Sequence, residues 1–97
     1  MKPTLAPGLT HEATLTVTDD LTVPHVSPHV AAFNDMPAVF ATAYMVGFIE
    51  ATCIECIRAH LDEGEHSVGT QVNVTHTAAT PVGMTVTARV RLTEVDR

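Results

Sequence analysis

Three residues of this 97-residue chain carry side chains suited to acid–base or acyl-transfer chemistry: Glu50 and His76, each ionisable on an apolar face, and Thr42 near a helix start. Glu50 falls on an apolar helical stripe, after Val46 and Gly47 and before Ile54, where a carboxylate is costly unless something satisfies it. His76 closes a period-two run in which Val68, Thr70, Val72 and Val74 share its side. Each alone has an ordinary explanation, a helix-edge carboxylate meeting water and a hydrogen-bonded core histidine. Packing that strand face on the helix stripe would point both groups into one interface, as an acid–base pair requires. Thr42 falls in the first turns of the helix, near backbone N–H groups that lack intrahelical partners and could polarise a substrate carbonyl. Its ordinary role would be a hydroxyl bonded to a preceding helix carbonyl. Eight residues, ~12 Å of helix axis, separate Thr42 from Glu50. A substrate, a water or His76 must therefore lie between them, or the two meet across a dimer interface.

Other candidates are weaker. Cys53-Ile54-Glu55-Cys56 is a single CxxC deep in the helical pattern, without the helix N-terminus that usually activates a thiolate. A zinc site needs two more ligands, and none of the six histidines stands at helix-ligand spacing to it, so the pair reads as core packing and no metal is expected. His11, His25, His29, His60 and His66 read as surface or loop histidines. Gly69 interrupts a β-branched run, marking either a bulge or a place where a ligand approaches the backbone.

The elements that would hold these groups follow from periodicity. Residues 11–18, HEATLTVT, alternate Ala13, Leu15 and Val17 against Thr14, Thr16 and Thr18, a half-buried strand. Residues 19–37 contain Pro24, Pro28, Asn34-Asp35 and Pro37, too many breakers for a long element. This is a long loop, with a turn of helix expected near Val30 to Phe33, and such loops often border binding sites; it reads as a lid. Pro37 suits a first helical turn, and Val39, Ala43, Val46, Glu50, Cys53, Ile57 and Leu61 recur at helical spacing toward Gly64, predicting about 24 residues, roughly 36 Å. Residues 67–78 and 84–93 each alternate again around a Pro81–Gly83 turn, which predicts a hairpin. Three strands cover only about 10 Å, narrow for so long a helix, and the chain stops directly after a strand. The expectation is one partial domain over 1–97, cut short at its C-terminus.

Composition narrows the partners. Five basic against eleven acidic side chains give a formal charge of -6, the wrong sign for a nucleic-acid binder. No run of eighteen apolar residues and no signal-peptide pattern is present, so the expected location is cytoplasmic, with no membrane partner. Two cysteines do not make a disulfide scaffold.

The stretch from Met36 to Thr93, and most specifically VFATAYMVGFIEATC and VGTQVNVTHTAATPVGMTV, closely resembles the fluoroacetyl-CoA thioesterase-like branch of the hotdog superfamily. The resemblance implies an α+β hotdog fold, one long central helix wrapped by an antiparallel sheet, and a homodimer with active sites at the subunit interface. It places the family's catalytic set on Thr42, Glu50 and His76 and substrate contact on Gly69, Met36 and Phe40. It implies an acyl-CoA substrate hydrolysed to free acid and CoA, without a cofactor. At Met36 the chain departs from the family, in which a phenylalanine before the helix-opening proline is tied to choosing a fluoroacetyl group. Two rivals stay open at this point: a hotdog enoyl-CoA hydratase or dehydratase, and a non-catalytic acyl-CoA binding or dimerisation module in which Glu50 and His76 form a structural pair.

Overall fold

The computed structural model describes all 97 residues. Its elements are strand β1 (Thr10–Thr16), three single-turn 3-10 helices within residues 19–33, helix α1 (Thr42–Arg58) and strand β2 (Thr85–Arg91). The strands pair antiparallel, with Ala13 opposite Ala88 and Leu15 opposite Val86. The alternation dictates which side packs. His11, Ala13 and Leu15, with Val86, Ala88 and Val90, form the half-buried or buried face under the helix, while threonines and arginines face outward.

Helix α1 is shorter than its periodicity predicts. Pro37 lies outside it, because residues 39–41 spend their backbone groups on other segments: Val23 N–H donates to Val39 O, Phe40 N–H to Thr80 O, and Ala41 N–H to Leu21 O. A carbonyl given to such a bridge, as Val39 O is, cannot also accept from the helix, which starts only where the Ala41 carbonyl accepts the Met45 N–H. At the other end Ala59 caps the helix, and Gly64, at φ +82°, serves the following turn. The face turned to the sheet also differs from the expected stripe. Thr52 is 1% exposed, and Met45, Phe48, Ile49 and Cys56 around it are half-buried. Val46, Glu50, Cys53 and Ile57 lie roughly a third of a turn away, at ~100° per residue, and line an open groove beside residues 67–74. Cys53 is accordingly exposed and not a core residue.

The expected hairpin does not form. Residues 84–93 contain β2, which pairs with β1, whereas residues 66–79 belong to no strand and make no backbone-to-backbone hydrogen bond. Local alternation describes a strand's two faces but not its neighbour, and here the neighbour is distant in sequence. The unpaired segment leaves Val68 81% and Val72 57% exposed. Only seven residues are buried, and the radius of gyration is 15.7 Å against about 12.5 Å expected for a compact chain of this length. The helix–sheet layer thus holds a thin core, with the extended segment standing beside it.

The N-terminal residues close the far end of the helix. Lys2 N–H donates to His60 O at 2.9 Å, the Thr4 hydroxyl meets His60 Nδ1 at 2.8 Å, and Arg97 donates to the Leu5 carbonyl. The Met1 ammonium donates to Glu65 at 2.8 Å and Asp62 at 3.0 Å. The hydrogen bond to Glu65 raises the Met1 pKa above 8.0, and the same bond lowers that of Glu65 below 4.5. The Glu65 contribution is therefore present above pH 4.5 and lost as pH falls through its lowered folded value, while the Met1 contribution is present below pH 8.0 and lost as pH rises through its raised one. Melting temperatures measured from pH 3 to 10 should show a small excess for the parent over Glu65→Gln between those limits, shrinking in high salt because the pair is exposed. Equal curves for the two proteins would contradict the clasp.

Candidate active site

Helix α1 begins at Thr42 directly after the bridged residues 39–41, and His76 lies four residues before Thr80, which accepts the Phe40 N–H at 2.8 Å. That backbone bond brings the helix entry and the extended segment together. In consequence Thr42 Oγ1 and His76 Nδ1 stand 2.7 Å apart. With the ring proton on Nε2, the hydroxyl donates to Nδ1, the arrangement in which an imidazole can draw a proton from an alcohol. Thr42 does not fold back on a preceding carbonyl; Thr52 does, donating to Phe48 O at 2.8 Å.

The helix N-terminus adds a second feature. Ala41 at the N-cap makes no side-chain cap, and the N–H groups of Thr42, Ala43 and Tyr44 have no backbone acceptor. A serine, threonine or aspartate there would have consumed one of them. Free donors at a positive helix end are suited to negative charge developing on a carbonyl oxygen.

His76 is half-buried and lines a groove of about 500 Å³ whose walls include Phe40, Met45, Phe48, Ile49 and Val86. Phe40 is 2% exposed and forms part of its apolar wall. Glu50 lines a different groove, of about 440 Å³, with Gly69, Cys53 and Val74; Ile49 borders both. The sequence pattern places Glu50 and His76 in one dry interface, and the structure corrects this: Glu50 is exposed, and the two side chains face separate grooves. The reason is the lack of a regular pleat in residues 66–79. Gly69 faces Glu50 while His76, seven residues on, faces Thr42, so odd and even positions both turn to the helix. No ladder hydrogen bond holds this segment to one strand face.

Gly69 is not a bulge, because no ladder surrounds it, and its φ is not in the left-handed region. A Cβ there would lie 3.6 Å from Glu50 Oε2, so the missing side chain keeps one side of that carboxylate open. Partial desolvation against the neighbouring segment, with Cys56 and Glu50 adding to it, raises the Cys53 thiol above its usual range although the residue is largely exposed. That is the opposite of an activated nucleophile. Both cysteines are free, and no cluster of three or more metal-ligating side chains exists. Met36 is 48% exposed at the end of the 19–37 loop and does not line the His76 groove.

Two contributions escaped the sequence pattern. Met45, Phe48 and Ile49, spaced i, i+3 and i+4, were the available signal for the groove wall but were overshadowed by the longer stripe through Val46 and Glu50. Tyr44 donates its phenol to His25 O at 3.2 Å, and a lone tyrosine in a helix carries no signal for such a partner.

The chain matches the family described as fluoroacetyl-CoA-specific thioesterase over residues 17–97. It is 47% identical over 75 residues, 77% of its length, to the fluoroacetyl-CoA thioesterase of Streptantibioticus cattleyicolor, and spans about half of that relative, 54%. An alanine variant of the fluoroacetyl-CoA-specific thioesterase, solved with fluoroacetate and CoA, superposes with a TM-score of 0.91 at 40% identity, covering 96% of this chain and 74% of that one. A thioesterase superfamily member from Thermus thermophilus gives a TM-score of 0.83 at 27% identity, over 100% of this chain and 66% of the other. The long helix laid on an antiparallel sheet is thus the α+β hotdog fold. By its sequence over 81 consecutive residues and by its fold, the chain belongs to the fluoroacetyl-CoA-specific thioesterase family.

Proposed function

We propose that the chain carries the catalytic groups of a short-chain acyl-CoA thioesterase, adding water across the thioester to release a carboxylic acid and CoA. The observation that carries this reading is the 2.7 Å contact between Thr42 Oγ1 and His76 Nδ1 at an uncapped helix N-terminus, beside an apolar groove. His76 takes a proton from Thr42 or from a water held by it, and returns that proton to the departing CoA thiolate. The free N–H groups of residues 42–44 receive the carbonyl oxygen as it gains charge. Glu50, with its open side at Gly69, orients or deprotonates the attacking water. Phe40 borders the acyl end, and its bulk favours a short chain.

The active unit in this reading is a homodimer. Support comes from the unpaired backbone of residues 66–79 and their exposed valines, and from Glu50 opening away from His76, which leaves room for a second copy to complete the site. The 19–37 loop acts as the lid, and Met36 on it bears on which acyl group enters. A thioether is longer and more flexible than a ring, so acetyl- and propionyl-CoA are expected to be hydrolysed at rates comparable to fluoroacetyl-CoA.

The test is release of free thiol from acetyl-, propionyl-, butyryl- and fluoroacetyl-CoA by the purified protein, with its mass measured by light scattering. Saturable hydrolysis above the spontaneous rate supports the proposal. Hydration of crotonyl-CoA without thiol release, or CoA binding without turnover of any ester, would replace it.

A further inference from the structure

The 19–37 loop is held to the rest of the molecule at one end only until it reaches Val39. Its root is a built feature. Val23 N–H and Ala41 N–H close two backbone bonds with Val39 O and Leu21 O, each at 3.0 Å, and Thr22 between them is wholly buried, its hydroxyl donating to Asp19 O at 2.6 Å. His25 completes the root through its ring, 3.1 Å from Asp19, and its carbonyl, which accepts the Tyr44 phenol at 3.2 Å. Beyond Val26 the character changes. Every hydrogen bond made by residues 27–36 runs to another residue of the same stretch, from Ser27–Val30 through Phe33–Met36. This stretch nevertheless leaves apolar Val30 and Met36 in solvent. A segment hydrogen-bonded only within itself, held otherwise by packing and carrying exposed apolar side chains, can move as a body and gains by burying them.

Tyr44 Oη is the last atom outside the loop to grip it before this stretch begins, and it stands two residues after Thr42 on helix α1. We infer that Tyr44 is a positioning residue: its phenol fixes the root of the loop proposed above as the lid, and so sets how residues 27–36 close on a bound thioester. The substrate class rests on the thioesterase reading, whereas the tether itself does not. Closure excludes water from the apolar groove around the acyl group and leaves proton transfer to His76 unchanged. Loss of the tether therefore weakens ligand retention and spares the chemical step.

Tyr44→Phe removes the donor and keeps the ring. Three readings decide the case: amide hydrogen exchange across residues 22–26, the Kd for a thioether analogue of acetyl-CoA that cannot be hydrolysed, and kcat with acetyl-CoA. The expected result is exchange several-fold faster at His25 and Val26, Kd raised about fivefold, the size of one neutral hydrogen bond, a loss in kcat much smaller than that in binding because the backbone N–H of residue 44 is kept, and unchanged exchange in the middle of α1. Exchange and Kd equal to the parent's would overturn the proposal, as would a loss of kcat at constant Kd, which would mean that the phenol acts on Thr42 through the helix. If the parent hydrolyses no thioester, the proposed function fails by itself; the inference then stands or falls on exchange and analogue binding, and faster exchange without weaker binding would overturn the retention role.

Discussion

Replacing His76 by alanine should lower kcat for acetyl-CoA hydrolysis by about two to four orders of magnitude, the usual loss on removing a general acid–base, while leaving the fold in place. His76 is half-buried, sits outside the β1–β2 ladder, and its Nδ1 bond goes to Thr42, so its removal costs the core little. Melting temperatures within a few degrees of the parent's are expected. The Michaelis constant should move far less than kcat, because proton transfer matters in the transition state and hardly at all in binding. Exogenous imidazole should restore part of the rate by entering the groove beside Phe40 and Phe48. A His76→Ala rate within threefold of the parent's would remove this residue from the reaction.

The second large effect is expected at Glu50. Glu50→Gln keeps the shape of the side chain and removes only its charge, and kcat should fall by about two orders of magnitude. The carboxylate is exposed, so this substitution should leave stability within about 0.5 kcal/mol of the parent. A second reading checks the local geometry without turnover. Glu50 is among the causes that raise the Cys53 thiol, behind burial and Cys56, so losing its charge should make alkylation of Cys53 modestly faster at pH 8. The double variant of Glu50 and His76 is informative because the two face separate grooves in one protomer. Groups acting in one catalytic step lose activity non-additively, so the double variant should be little worse than His76→Ala alone. Multiplicative losses would show that the two serve independent steps. Full activity in Glu50→Gln would assign this residue to the surface.

The hotdog architecture positions these groups by unequal means. Phe40 N–H on Thr80 O fixes the helix entry against the segment carrying His76, and the Thr42–His76 contact follows from that one backbone bond. Glu50 reaches its place by helix geometry alone, two turns further along. Gly69 meets it because residues 67–74 run beside the helix without a ladder. The candidate site thus combines one strongly specified contact with one loosely specified neighbour.

What was legible in the residues themselves is whatever depends on period and composition. The alternation of Ala13, Leu15 and Val17 marked β1, and that of Val86, Ala88 and Val90 marked β2, because a pleated strand half covered by a helix must alternate. The helix was visible in its apolar spacing and the broken stretch between Asp19 and Pro37 in its prolines; as candidates, Glu50 stood out as a carboxylate on an apolar stripe and His76 on a valine-rich strand face, and Thr42 only by its place near the helix start and by resemblance. Tertiary structure alone decided what pairs with what. Residues 39–41 are as compatible with a helix as with a bridge, and the long-range bonds to Leu21, Val23 and Thr80 settled the matter. The choice of β1 over residues 67–78 as partner for β2, the rotation of the helix that turns Thr52 inward and Glu50 outward, and the separation of Glu50 from His76 are likewise properties of packing across long sequence distances. Local patterns constrain which side of an element is apolar; which element covers that side is set by the free energy of the whole assembly.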